Sequence, residues 1–208
     1  MTSVFIYLAS QSPRRAELLA QLGVSHRLLL AGVDEDAEEL EAIHGLEAPA
    51  SYVQRVTKLK LNAAVARAKQ RDLWTKQDAR PILCADTTVV MGRTIYGKPD
   101  DANAATQMLQ ALSGKTHRVL TSVGMAWRVG TQVKTSFALS ESRVTFALLS
   151  KANIAAYIAT REPFGKAGSY GVQGKAAAFI SNITGSYSGI MGLPLHETSL
   201  LLKQAKIL

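Results

Sequence analysis

The stretch Leu8-Ala9-Ser10-Gln11-Ser12-Pro13-Arg14-Arg15-Ala16-Glu17-Leu18-Leu19 decides how this chain begins to fold. It follows the apolar run Val4 to Leu8, which reads as a buried strand because it is short, β-prone and closed by small polar residues. A helix start comes next. Ser12 is suited to accept a hydrogen bond from a free first-turn N–H, and Pro13 has no N–H to lose at the first helical position. Leu18, Leu19 and Leu22 share one apolar face, and Gly23 suits a left-handed stop. A strand therefore hands over to a helix N-terminus at two serines and two arginines. Unpaired N–H groups and the positive dipole end attract anions there, and Arg14 and Arg15 add forked donors that match phosphate oxygens. The same residues also compose an ordinary capped surface helix with two solvated arginines, so spacing alone leaves both readings open.

With 208 residues, 47% hydrophobic and 19% charged, the chain is long and apolar enough to bury a real core, in one large or two small lobes. No apolar run approaches the roughly 18 residues of a membrane span, and the first residues lack the charged-then-apolar pattern of a secretory leader. Cys84 is the single cysteine, which excludes an intrachain disulfide and a cysteine metal cluster. The expectation is a cytoplasmic protein without membrane association. The net charge of +8 is uneven: residues 31–50 hold seven acids and no Lys or Arg, so the remainder carries +15. That excess favours anionic partners without choosing among nucleotides, nucleic acid and acidic surfaces, and scattered solubility charge accounts for it equally well.

His26 to Ala31 reads as a short strand entering the acidic stretch Val33-Asp34-Glu35-Asp36, mostly a solvated loop in which one or two carboxylates could hold a divalent cation. Ser51 and Gln54 match a capping box for a helix running to about Arg71. Lys60 flanks its apolar stripe, either snorkelling outward or meeting an anion in a cleft. Pro81 to Met91 reads as a strand with Asp86-Thr87-Thr88 in its apolar middle. A carboxylate there is costly unless paired, hydrogen-bonded or metal-bound, so Asp86 is either a structural or a functional acid. Thr94 to Gly97 returns after Gly92-Arg93, and Lys98-Pro99-Asp100-Asp101 leads into a helix stopped by Ser113-Gly114. His117 to Val129 and Gln132 to Ala147 form a long hairpin, and Leu149 to Thr160 a helix. Residues 162–174 hold four glycines and a proline, which permits close backbone approach to a ligand. Ala176 to Ile183 reads as a strand, Gly185-Ser186-Tyr187 as a turn, and Met191-Gly192-Leu193-Pro194 as the opening of a last helix.

As a set, these residues resemble the Maf proteins, a family of nucleoside triphosphate pyrophosphatases named for septum formation. The resemblance is carried by Ala-Ser-Gln-Ser-Pro-Arg-Arg at 9–15, Val-Asp-Glu at 33–35, Lys60, Ala-Asp-Thr at 85–87, Lys98-Pro99, Leu-Ser-Gly-Lys-Thr-His at 112–117, Lys-Ala-Gly-Ser-Tyr-Gly-Val-Gln-Gly at 166–174, and Gly-Ser-Tyr with Gly-Leu-Pro-Leu at 185–195. Eight motifs run in family order across nearly the whole chain, and the Gly-Ser-Tyr-Gly-Val-Gln-Gly version is similar to the branch acting on dTTP and UTP. Cys84 replaces the small residue usual before Ala-Asp-Thr.

The resemblance implies an α/β fold: an elongated mixed β-sheet flanked by helices, forming one Maf-like domain over 1–208 of two lobes with a nucleotide cleft. It also implies a divalent metal cation, Mg²⁺ or Mn²⁺, and a homodimer. Asp86 would accept the proton of the attacking water, and Glu35 and Asp86 would hold the metal. Arg14, Arg15, Lys60 and Lys98 would pair with phosphate oxygens, with Ser12 as a neutral donor. Thr87, Gln173 and Arg14 match the specificity positions. Two other readings stay open: a sensor of dTTP or UTP that regulates cell division, and a nucleic-acid-binding module. No basic run interleaved with aromatics supports the latter, and aromatics make up only 6% of the chain.

Overall fold

The computed structural model describes residues 5–32, 35, 39–75 and 79–208. Val4, Val33, Asp34 and Asp36, named above, lie outside them. The elements run β1 Phe5–Leu8, α1 Pro13–Gln21, β2 Ser25–Leu28, α2 Pro49–Gln70, β3 Ile82–Met91, β4 Thr94–Tyr96, α3 Ala102–Leu112, β5 Thr116–Val129, β6 Gln132–Phe146, α4 Lys151–Ala159, β7 Ile180–Thr184, α5 Tyr187–Met191 and α6 Leu195–Gln204. They build a seven-stranded mixed α/β sheet in the order β2-β1-β3-β5-β6-β7, with β4 also paired to β3. β1 runs parallel to β2 and β3; the other pairings are antiparallel.

The expected hairpin is present, with Gly130 at φ +59° in its turn and fourteen residue pairs joining β5 to β6. Three local expectations are corrected. Helix α2 begins at Pro49 with Ala48 as its cap, so the Ser51–Gln54 capping box does not form and the Gln54 amide donates to the Ala50 carbonyl instead. Proline at the first helical position has no N–H needing a cap. Residues 175–179 form a short 3-10 turn, not strand, because the Lys175 N–H donates to Glu162 and three alanines carry little strand preference. Tyr187–Met191 is a helix, capped by the Ser186 hydroxyl, which accepts from Gly189 N–H at 3.0 Å, and ended by Gly192 at φ +117°.

Strand β3 is buried on both faces, and its cover changes along its length. Cys84 and Val90 pack beneath α2. On the opposite face Leu83 and Ala85 join Ile6, Leu8, Leu18, Leu19, Leu201 and Leu202, from β1, α1 and α6. Farther along, Val89 joins Leu109, Leu112, Phe146 and Ile154, from α3, β6 and α4. Thr87 lies between these two packed clusters, where the cover passes from one set of helices to the other.

Candidate active site

One edge of β3 is incomplete. β1 pairs with it as far as Leu83 and β4 from Val89 onward, while β5 runs along the whole other edge. Asp86 and Thr87 fall in the gap, next to the C-terminal end of β1 and the N-terminus of α1. That is where open sheets with parallel strands place ligands. A cavity of about 930 Å³ opens there, and its lining includes every candidate named from the sequence: Ser12, Arg14, Arg15, Glu35, Lys60, Asp86, Thr87, Lys98 and Gln173.

Asp86 is 7% exposed, and its cost of burial is met by α2. Lys60 Nζ donates to Asp86 Oδ1 at 2.5 Å and to Glu41 Oε1 at 2.7 Å. Burial alone would lower the Lys60 pKa, but the two carboxylates outweigh it and hold it above the usual lysine value. Lys98 approaches the same Glu41 carboxylate at 3.0 and 3.1 Å. Glu41 lies below the ordinary carboxylate range because these two ammoniums overcome its partial burial.

Ser12 caps α1 by position, but its hydroxyl makes no cap hydrogen bond, contrary to the expected reading. Its backbone N–H donates to Ser10 Oγ at 3.1 Å. Arg15 is committed to the frame: Nε donates to the Gly192 carbonyl at 2.8 Å, one terminal nitrogen to Ser10 Oγ at 3.1 Å and the other to Thr87 Oγ1 at 3.3 Å. Burial pushes its pKa down, opposed chiefly by Asp86. Thr87 and Thr121 share a 3.0 Å hydrogen bond, and Thr121 lies 2.7 Å from the Gly189 carbonyl. Among the described residues Arg14 makes one longer contact, Nε to the Met191 carbonyl at 3.4 Å, which leaves its terminal nitrogens available at the cavity wall. The two neighbouring arginines thus divide their work, with Arg15 bracing α1 against β3 and α5 and Arg14 facing the cavity.

The glycine-rich segment is pinned along its length. Gly168, at φ +66°, has its N–H on the Gly97 carbonyl and sits so close to Val89 that an added Cβ would lie 2.8 Å from it. Tyr170 hydrogen-bonds its hydroxyl to His117 Nε2 at 2.7 Å. The Tyr157 hydroxyl donates to Glu162 at 2.9 Å and accepts from Gly171 N–H at 3.4 Å. Gln173 stays exposed at the rim, its amide folded against Gly171. Lys166 donates to the Glu162 carbonyl, and burial, with Arg14 adding repulsion, lowers its pKa.

Glu35 sits in a fork. Arg67 Nε donates to its Oε1 at 2.7 Å and a terminal nitrogen to its Oε2 at 2.5 Å, while Arg67 also anchors on the Leu29 carbonyl. The Arg67 contact holds Glu35 down to about 2. Among the described residues no group of three or more His, Cys, Asp or Glu forms a ready ligand set. Mg²⁺ is usually held by one or two carboxylates together with substrate phosphates and water. Asp86 fits that demand, whereas Glu35 has both oxygens on Arg67.

The sequence reading missed Glu41, Arg67, Tyr52 and Lys166 as cavity residues. Nothing in the acidic stretch singles out Glu41 among its neighbours. Arg67 had a signal, because it lies seven residues after Lys60 and so on the same face of α2. What the cavity offers chemically is a carboxylate beside an ammonium, a guanidinium and two lysines for anions, and an amide at the rim.

Residues 5–205 match the family model described as Maf-like protein. A dTTP/UTP pyrophosphatase of Albidiferax ferrireducens is 60% identical over 201 residues, covering 97% of this chain and 96% of the relative. Proteins of the same description from a Polaromonas species and from Ralstonia nicotianae are each 58% identical, covering 97% of this chain and 96% and 94% of the relatives. With that match over nearly its whole length, the chain belongs to the Maf-like protein family.

Proposed function

We propose that this chain is a hydrolase that cleaves dTTP and UTP between the α- and β-phosphorus, giving the nucleoside monophosphate and pyrophosphate. Its relatives' activity supports the reading. The observation that carries it is that Asp86, Lys60, Lys98, Arg14 and Gln173 line one cavity. In this mechanism Asp86 takes a proton from water as the water oxygen bonds to the α-phosphorus. The bond from that phosphorus to the bridging oxygen breaks, and its electron pair leaves with pyrophosphate. Lys60 orients Asp86 by hydrogen bonding, while Arg14, Lys98 and Lys60 face the charge that spreads over the phosphoryl oxygens. Arg15 and Ser12 shape the α1 end of the cavity. The Gln173 amide donates and accepts at once, which suits the O4 acceptor and N3–H donor of uracil and thymine.

A divalent cation, Mg²⁺ or Mn²⁺, belongs to the proposal, with Asp86 as a ligand and Glu35 as the second once it gives up an oxygen from Arg67. Such an ion neutralises polyphosphate charge. A cytoplasmic homodimer completes the reading; no described helix is long and apolar enough to cross a membrane. The decisive experiment incubates purified protein with a panel of nucleoside triphosphates and Mg²⁺ or Mn²⁺. Pyrophosphate released from dTTP and UTP is the expected result. Release of orthophosphate alone, or no cleavage of any triphosphate, overturns it.

A further inference from the structure

The two lysines assigned to the polyphosphate already hold an anion supplied by the protein itself. Glu41 Oε1 lies 2.7 Å from Lys60 Nζ and 3.1 Å from Lys98 Nζ, and Oε2 lies 3.0 Å from Lys98 Nζ. The surrounding backbone is fastened to α2 independently of that carboxylate. Tyr52 donates its hydroxyl to the Glu41 carbonyl at 2.9 Å, and Arg55 donates to the Ala42 carbonyl at 2.7 Å while pairing with Glu47. The Glu41 side chain can therefore leave the lysines by its own rotations while the turn that carries it stays docked.

We propose that Glu41 is a built-in competitor for the phosphate subsite: its carboxylate occupies the Lys60–Lys98 pair, and phosphate oxygens bind there by displacing it. The inference rests on the reading that Lys60 and Lys98 receive the polyphosphate. A site populated in its closed form lowers apparent affinity by the fraction that is open. The same contact, re-forming after cleavage, favours departure of the pyrophosphate. Glu41 thus sets the affinity of the subsite without touching the reacting atoms.

The test titrates inorganic pyrophosphate into the full-length protein by calorimetry in EDTA, so that loss of a metal ligand cannot enter. Glu41→Gln is expected to bind about three- to tenfold tighter, in line with one carboxylate released from two partly exposed ammoniums. Glu47→Gln removes the same charge outside the cavity and is expected to stay within about twofold of the parent. In a Lys98→Ala background the gain from Glu41→Gln shrinks, because the two substitutions share one contact. With dTTP as substrate, KM falls in Glu41→Gln by a factor similar to the gain for pyrophosphate. Unchanged pyrophosphate affinity, an equal gain in Glu47→Gln, or a kcat fall beyond about tenfold overturns the proposal. Should no triphosphate be cleaved by the parent, the functional reading fails, while the pyrophosphate isotherms still decide the role of Glu41.

Discussion

Lys60, on α2, and Asp86, on β3, meet at 2.5 Å where the edge of β3 between the ends of β1 and β4 lacks a strand neighbour among the described residues. That contact makes a carboxylate tolerable in the middle of a buried strand. It also fixes which way the acid faces, because Lys60 reaches it from the cavity wall.

Replacing Asp86 by Asn keeps the shape and removes the proton acceptor. Turnover of dTTP is expected to fall about 10²- to 10⁴-fold. Nucleotide binding, followed by calorimetry, persists. Near-parental turnover would take Asp86 out of the base role.

Arg15 spans three partners from separate elements, so its loss is felt first in stability. Arg15→Ala leaves the Gly192 carbonyl without this donor and is expected to cost about 1–3 kcal/mol. That corresponds to about 2–4 °C in Tm for each kcal/mol in a chain of this size. Arg15→Lys does not restore it, since one nitrogen cannot reach the three acceptors that three separate guanidinium nitrogens meet. A thermal melt unchanged in Arg15→Ala contradicts the bracing role.

Glu35 titrates at about 2 in the folded protein against 4.5 as reference, so its pairing with Arg67 stabilises the fold above pH 4.5. That contribution is lost as the pH drops toward 2. Glu47, held to about 2 by Arg55, acts in the same window. Arg67→Gln is therefore expected to reduce, and not abolish, the difference in urea stability between pH 7 and pH 3. An undiminished difference would show that the fork contributes nothing.

His117, 1% exposed, is pushed down to about 4 by burial from a reference of 6.5. It is neutral when folded and charges on unfolding, so stability is full above about pH 6.5 and declines as pH falls through 4. His117→Phe is expected to remove that slope. It also leaves the Tyr170 hydroxyl unpaired, lowering stability at pH 7 by about 1–3 kcal/mol. Denaturation curves between pH 4 and pH 8 that keep the parental slope would assign it elsewhere.

Gln173 is exposed, so its hydrogen bonds to a base compete with water. Gln173→Ala is expected to reduce the dTTP-over-CTP preference in kcat/KM about two- to tenfold. An unaltered ratio would remove Gln173 from base selection.

Much of the molecule was legible in order along the chain. The strand–serine–proline–arginine corner, the apolar strand interrupted by Asp86, and the hairpin at Gly130-Thr131 announce themselves through local period, turn chemistry and capping residues. Helix α5 was not legible, because five residues including a serine and a glycine show no apolar period. The strand expected from Ala176 gives way to a turn held by Glu162, a contact thirteen residues back in the chain.

The sequence alone determined a run of strands and helices with an anion-attracting corner, a costly buried aspartate and a glycine-rich segment, and the family resemblance implied the mixed α/β fold. The family motifs linked them to one activity. Only the tertiary structure decided which charges meet. Arg14 and Arg15 are neighbours with one composition and opposite employment, and Glu41 and Glu35 are two acids of one stretch taken up by different cations. The physical reason is that periodicity reports which face of an element is buried, whereas ion pairing depends on positions brought within 3 Å by strand register and helix docking, which no local pattern encodes.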